Sequence, residues 1–252
     1  MIGVIKSDVG KARLNNEDMF YFPQKGSKLP QLFIVADGMG GHQGGEIASK
    51  IAVEEVSTYV NSHLLEDCSA QEVKEILKSS ISKANNKVFS LSLKNDELLG
   101  MGTTITIALF HGRHLYIGHV GDSRAYLIRE NHIEQLTRDH SLVWELAEDG
   151  RITMEETKTH PMKNIITKAL GTDELLEPDI LKFDLKDNDI IVLCSDGLTN
   201  MLENDSIKNI VLSSEGPEQA AQKLIDEANL RGGEDNITVG VIKADKVGCE
   251  KT

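Results

Sequence analysis

The residues with most chemical potential in this 252-residue chain are carboxylates placed where strand-like runs stop or start. Leu32–Ala36 runs straight into Asp37-Gly38-Met39-Gly40-Gly41-His42, and Ile190–Cys194 runs into Ser195-Asp196-Gly197. Leu115–Val120 runs into Gly121-Asp122-Ser123-Arg124, and Gly232-Gly-Glu-Asp235-Asn236 leads into Ile237–Val241. Glu17 and Asp18 close the segment Arg13-Leu-Asn-Asn-Glu17-Asp18, just before a further strand. A strand end fixes a side chain more rigidly than a loop does, and adjacent glycine lets a carbonyl or a ligand approach closely. Carboxylates gathered at one sheet edge repel each other unless a cation neutralises them. Oxygen-only ligation, without paired His or Cys, selects hard cations such as Mg²⁺ or Mn²⁺. Two such ions sharing a carboxylate lower the pKa of a water held between them. Taken singly, each DG, GD or DN is an ordinary turn dipeptide. Four of them beside hydrophobic strands, with Arg-x-x-x-Glu-Asp upstream, form a pattern that isolated turns do not.

The elements that must position these groups are legible as short runs of Val, Ile, Thr and aromatics. These are Met1–Ile5, Asp18–Phe22, Leu32–Ala36, Thr103–Phe110, His114–His119, Ala125–Arg129, Ile180–Leu185, Ile190–Cys194 and Ile237–Ile242. From Thr103 to about Leu136 they follow one another across turns such as HGRH and REN, an antiparallel meander and not a βαβ rhythm. Apolar residues at helical spacing predict a helix over Gly45–Leu65, and a capping box at Ser69-Ala-Gln-Glu72 opens a second. Two more are expected at Glu203–Ser213 and from Pro217 to Leu230, with proline suited to a first helical turn. Each shows one apolar face, so helices should pack outside an antiparallel β core. Asp139–Gly171, with Gly150, Pro161, a Thr153-x-x-Glu156 cap and few apolar residues, suits a mobile excursion over the surface.

Composition bounds the function classes. With 27 Lys+Arg against 40 Asp+Glu the formal charge is −13, which opposes non-specific grip on nucleic acid or anionic lipid. It leaves room for a local phosphate site built on metal ions. The hydrophobic fraction of 40% beside 27% charged residues is globular, and the length suits one large domain or two small ones. Cys68, Cys194 and Cys249 form neither a disulfide framework nor a CxxC metal site. No signal-peptide core or membrane-span run is evident, so a protein of a reducing, cytoplasmic compartment is expected.

Together these segments resemble the metal-dependent protein phosphatase family (PPM, type 2C) in its bacterial single-domain form. The matching runs are Asp8-x-Gly10-x-x-Arg13-x-x-Asn16-Glu17-Asp18, Asp37-Gly-Met-Gly-Gly41, Gly102-Thr-Thr104, Gly121-Asp-Ser-Arg124, Asp139-His-Ser141, Ser195-Asp-Gly-Leu198 and Gly232-Gly-x-Asp235-Asn236-x-Thr238. They come in the family's order. The resemblance implies an α+β fold, a four-layer α-β-β-α sandwich of two antiparallel sheets flanked by helices. One domain would span residues 1–243, with a flap at about 139–171 beside the active site and a tail at 244–252. It implies two or three Mn²⁺ or Mg²⁺ ions. Asp37 would bridge two of them and Gly38 would ligate one through its carbonyl, with Asp196 and Asp235 completing the coordination of the first ion. Glu17 and Asp18 match acidic positions near the second ion, reached partly through water, and Asp122 matches a ligand of a third, weaker ion shared with Asp196. Arg13 matches the residue that holds the substrate phosphate. The reaction implied is hydrolysis of phosphoserine and phosphothreonine on proteins by a metal-activated water, without a covalent enzyme intermediate. A serine/threonine kinase would be its opponent, and a monomer is expected.

Two places depart from the family pattern. Where many eukaryotic members carry a histidine directly after the DG pair, this chain has Met39, and the nearest candidate general acid is His42. Lys168 stands where arginine is usual. Other chemistries fit less well. From Gly38 the sixth place is Gln43, so the loop is not G-x-G-x-x-G, and no G-x-x-x-x-G-K-[ST] occurs. A cysteine phosphatase needs arginine six places after its thiolate, whereas Cys194 leads to Asn200 and Cys68 to Lys74. Asp187-Asn-Asp189 reads as a turn. A pseudophosphatase that only docks or senses would be expected to lack metal aspartates, yet Asp37, Asp196 and Asp235 all stand.

Overall fold

A computed structural model describes residues 2–24, 26–40 and 44–245. In chain order the strands and helices begin with β1 (Ile2–Asp8), β2 (Asp18–Tyr21), β3 (Gln31–Met39), α1 (Gly44–His63) and α2 (Ala70–Ser92). The meander follows as β4 (Gly102–Thr103), β5 (Ile105–His111), β6 (His114–Val120), β7 (Arg124–Arg129) and β8 (His132–Gln135). The excursion carries α3 (Leu142–Glu148) and α4 (Met154–Thr157). The chain then runs through β9 (Asp179–Asp184), β10 (Ile190–Cys194), α5 (Asp196–Thr199), α6 (Asn204–Leu212), α7 (Pro217–Leu230) and β11 (Ile237–Lys243).

Two antiparallel sheets result. One runs β1-β11-β10-β7-β8; the other runs β2-β3-β5-β6-β9, with β4 attached to β3. Alternation along β3 shows how the layers form, because successive side chains face opposite ways. Leu32, Ile34 and Ala36 pack under α1 and α2 with Val56, Val60, Leu77 and Ile81. Phe33 and Val35 face the other sheet, meeting a layer that includes Ile5, Leu127, Leu193 and Ile242. The outer face of that sheet is covered by α6 and α7 through Ile207, Val211, Leu224 and Ala228. Helix, sheet, sheet, helix is the expected four-layer sandwich.

Local signals acted as the sequence indicates. Ser69 accepts from the Glu72 N–H while the Glu72 carboxylate accepts from the Ser69 N–H, closing the capping box of α2. Thr153 and Glu156 do the same for α4. The excursion leaves the body through a narrow neck, where Leu142 N–H donates to Ile165 O and Thr167 N–H donates to His140 O. The strand β8 and the single-turn helix α5 were not separately anticipated. The former is four residues, alternately exposed and half-buried, that end the meander, and the latter begins at Asp196 itself, one residue after β10. Asp187-Asn-Asp189 is a turn, with Asn188 at φ 70°. The tail beyond Asp245 lies outside the described residues.

Candidate metal centre and active site

The two sheets bring their acidic strand ends to one edge. Asp18 and Asp37 stand opposite each other on β2 and β3. The threonine pair after Gly102 explains itself here. Thr104 Oγ1 accepts from the Asp37 N–H (2.9 Å), Thr104 N–H donates to Asp37 O (2.9 Å), and Thr103 Oγ1 donates to the same carbonyl (2.9 Å). The backbone carrying Asp37 is therefore fixed from three directions. Gly38 is needed for close approach: a Cβ there would lie 2.1 Å from the Gly45 carbonyl at the start of α1. On the other sheet, Ser195 Oγ donates to Asp18 Oδ2 (2.8 Å) and accepts from the Thr238 N–H (2.9 Å), stitching β2 to the β10 and β11 edge. Asn236 accepts from the Glu17 N–H and donates to Val9 O and Asn15 O, which ties the N-terminal acidic loop to β11.

Asp37, Gly38, Glu17, Asp122, Asp196, Asp235 and Arg13 line one cleft of about 730 Å³. Its electrostatics are unfavourable for protein alone. Burial first, then neighbouring carboxylates, pushes Asp18 up to about 7 and Asp122 up to about 8. The same two causes hold Asp37 well above the ordinary carboxylate range and raise Asp196. Burial also raises Glu17, opposed by Arg13. Oδ1 of Asp18, of Asp122 and of Asp196 is each buried without a hydrogen-bond partner. Such oxygens are costly unless something binds them.

These facts fit hard divalent cations. Among the described residues, no three His, Cys, Asp or Glu side chains form a ready-made cage for a single ion. Mg²⁺-like ions do not need one, because they keep several waters and take one or two carboxylates each. Open carboxylate oxygens spread around a cleft suit that habit. Cys194 is no candidate nucleophile: it is buried, and burial pushes its thiol up to about 12.

Other expected residues fall out as follows. The Arg13 guanidinium lies on Asp235 Oδ2 at 2.8 Å and not on Glu17, the structural alternative open from spacing alone. Arg13 is about half exposed at the mouth of the cleft. His42 lies outside the described residues. Lys168 donates to Glu177 O. Spacing gives no role to Lys163 and Asn164 of the 139–171 excursion, which line the same cleft, or to Asn200, which donates to Asp196 Oδ2 (3.0 Å). Only the path of the excursion reveals the first two; the third is accessible as an i, i+4 partner of Asp196. Arg124 grips Asp139 through Nε and Nη2, which gives the Gly-Asp-Ser-Arg and Asp-His-Ser runs a shared structural purpose.

Comparison with known proteins decides the family. The model of the family described as protein phosphatase 2C matches residues 6–237, nearly the whole chain. The chain belongs to this family. It is accordingly a metal-dependent protein-serine/threonine phosphatase of the 2C type. A serine/threonine phosphatase stp of Listeria welshimeri is 38% identical over 239 residues, covering 94% of each chain. Protein phosphatase PhpP of Streptococcus pneumoniae is 37% identical over 247 residues, covering 97% of this chain and 98% of its own. Among solved structures, the catalytic domain of the serine/threonine protein phosphatase PstP in complex with two manganese ions superposes with a TM-score of 0.84. It is 33% identical and is covered to 98% by 97% of this phosphatase.

Proposed function

We propose that this phosphatase divides the work at its cleft as follows. Asp37 and the Gly38 carbonyl, with Asp196 and Asp235, would hold a tight pair of Mn²⁺ or Mg²⁺ ions. Glu17 and Asp18 would support that pair, and Asp122 with Asp196 would hold a third, weaker ion. When bound, the ions supply the Lewis acidity that makes a water nucleophilic near neutral pH. The chain's own residues do the remainder. Thr103 and Thr104 keep Asp37 in place through its backbone, and Ser195 orients Asp18. Arg13, whose planar fork suits two phosphate oxygens, receives the phosphoryl group at the cleft mouth. His42 is the nearest side chain in sequence able to give a proton to the leaving serine or threonine oxygen.

The observation that carries this reading is the convergence of Asp122 and Asp196, each with a buried oxygen lacking a partner, on the cleft that also holds Asp37 and Arg13, with Asp18, likewise open at Oδ1, opposite Asp37 on the neighbouring strand. The wider setting proposed is one phosphatase domain over residues 1–243, a monomer working in the cytoplasm against a serine/threonine kinase. No helix among the described residues is long and apolar enough to cross a membrane.

The test is chelation followed by titration. Stripped protein should lose essentially all hydrolysis of a phosphopeptide and recover it with Mn²⁺, while calorimetry counts at least two tight sites. In the same assay Arg13→Ala should raise KM for the phosphopeptide about tenfold, as loss of a charge-assisted pair worth roughly 1.5 kcal/mol would. Full activity after stripping would reject the metal assignment, and an unchanged KM and kcat in Arg13→Ala would reject the phosphate role.

A further inference from the structure

His140 makes more connections than a loop histidine needs. Its ring Nδ1 accepts from the Gly121 N–H (3.0 Å), and its own N–H donates to Gly121 O (2.8 Å). Gly121 immediately precedes Asp122 and has φ +110°, and a Cβ there would lie 2.5 Å from Thr104 Cγ2. That turn can therefore be set only by what grips its backbone. The His140 carbonyl accepts from Thr167 N–H across the flap neck (2.8 Å), and Ser141 bridges to Ile166 beside it. The ring stacks on buried His119, centroids 5.0 Å apart, which is itself held by Thr106 Oγ1 and Arg138 O. Asp179 Oδ2 lies 3.2 Å from Nε2.

A backbone N–H only donates, so Nδ1 of His140 must be the unprotonated nitrogen. The ring proton then sits on Nε2 and points at Asp179. A carboxylate that fixes the tautomer of a histidine, which in turn fixes a ligand's backbone, is the outer-shell logic of metal sites. The opposite side of the neck is tied in the same manner. Thr103 and Leu170 exchange backbone hydrogen bonds, and Thr103 Oγ1 holds the Asp37 carbonyl. The neck of the flap is thereby joined to both carboxylate-bearing turns.

We propose that His140 is a positioning residue. Held as the Nε2–H tautomer by Asp179, it sets the Gly121–Asp122 turn and couples the carboxylate of Asp122 to the neck of the flap. This rests on the reading of Asp122 as a ligand of the weak third ion. Removing the acceptor should loosen that ion and leave the tight pair in place.

The experiment uses the full chain and three variants, His140→Ala, His140→Asn and Asp122→Ala, with Mn²⁺ alone as the probe. Calorimetry reads the tight and weak sites separately, and kinetics with an aryl phosphate read kcat and KM. His140→Ala should weaken the third site and lower kcat by about 10- to 100-fold, the usual effect of an outer-shell partner, with KM and the tight pair unchanged. His140→Asn, whose Oδ1 can still accept from Gly121 N–H, should recover most of the loss. Imidazole ¹⁵N shifts of the wild type should show the Nε2–H tautomer at neutral pH, which also serves if His140→Ala does not fold. A weak site unchanged in His140→Ala while Asp122→Ala abolishes it would overturn the proposal and spare the ligand assignment. A weak site unchanged in Asp122→Ala would overturn the ligand assignment, and the proposal with it. A Nδ1–H tautomer would also overturn the proposal.

Discussion

Opposite ends of the two-sheet sandwich both bury aspartate, and they treat it in opposite ways. At one end Asp189 is almost wholly buried and completely satisfied. Arg129 reaches Oδ1 through Nε (2.8 Å) and Oδ2 through Nη2 (2.6 Å), and the Lys186 N–H adds a third donor to Oδ2 (2.7 Å). At the other end Asp18, Asp122 and Asp196 each keep one oxygen buried and unbonded, and burial with mutual repulsion lifts all three towards the protonated form. A chain that satisfies Asp189 and Asp139 with arginine could have done so at the cleft. That it left those oxygens open marks them for a partner that protein groups do not supply. Buried charge with an arginine fork belongs to architecture, whereas buried charge without one belongs to the site.

The comparison is broken most sharply by one substitution at each end. Asp37→Asn should cut turnover more than about 100-fold, exceeding the 10- to 100-fold typical of outer-shell partners, and reduce the count of tight Mn²⁺ sites. It should not lower the melting temperature of metal-free protein, because it removes a charge the fold already disfavours. Arg129→Ala should do the reverse. It strands the buried Asp189 carboxylate and should cost about 3–5 kcal/mol, read from denaturant unfolding, with kcat per folded molecule intact. A stability loss in Asp37→Asn equal to that of Arg129→Ala would erase the distinction between the two ends.

The same distinction explains what the sequence could and could not disclose. Helices α1, α2, α6 and α7 and most strands were legible because apolar periodicity and caps such as Ser69 with Glu72 are local facts. Asp37, Asp122, Asp196 and Asp235 were legible as a group because each sits at a strand end in a glycine-bearing turn. The partnership of Arg13 with Asp235 was not, because 222 residues separate them and only the pairing of β1 with β11 brings them together. The Asp-His-Ser run gives no hint of what His140 does, since its partners Gly121, Thr167 and Asp179 come from three separate parts of the chain. Spacing reveals which groups are able to act. Their contacts are set by register and by the path of the flap, which spacing does not encode.

The smallest effect tests the electrostatics of the cleft directly. Asp18 and Asp122, ordinarily near 4, are raised to about 7 and about 8 in the folded, metal-free protein. Between those limits the folded state holds more protons than the unfolded one, so stability falls as pH rises through 7 to 8. His119 and His140 act with the opposite sign. Burial lowers both, the first to about 3, so their contribution to stability is lost as pH drops below about 6.5. That opposing contribution fades above pH 6.5, so between pH 6.5 and 8 the carboxylates set the sign of the net trend. Chelator-treated protein should melt lower at pH 8 than at pH 6.5, by roughly 2–4 °C for each kcal/mol lost in a chain of this size. With saturating Mn²⁺ the trend should vanish or reverse, because cations bind the deprotonated carboxylates and their affinity rises with pH. Differential scanning calorimetry at three pH values, with and without metal, reads both slopes. A flat profile in the stripped protein would mean that these aspartates ionise freely, and that neither burial nor the neighbouring carboxylates hold back their charge.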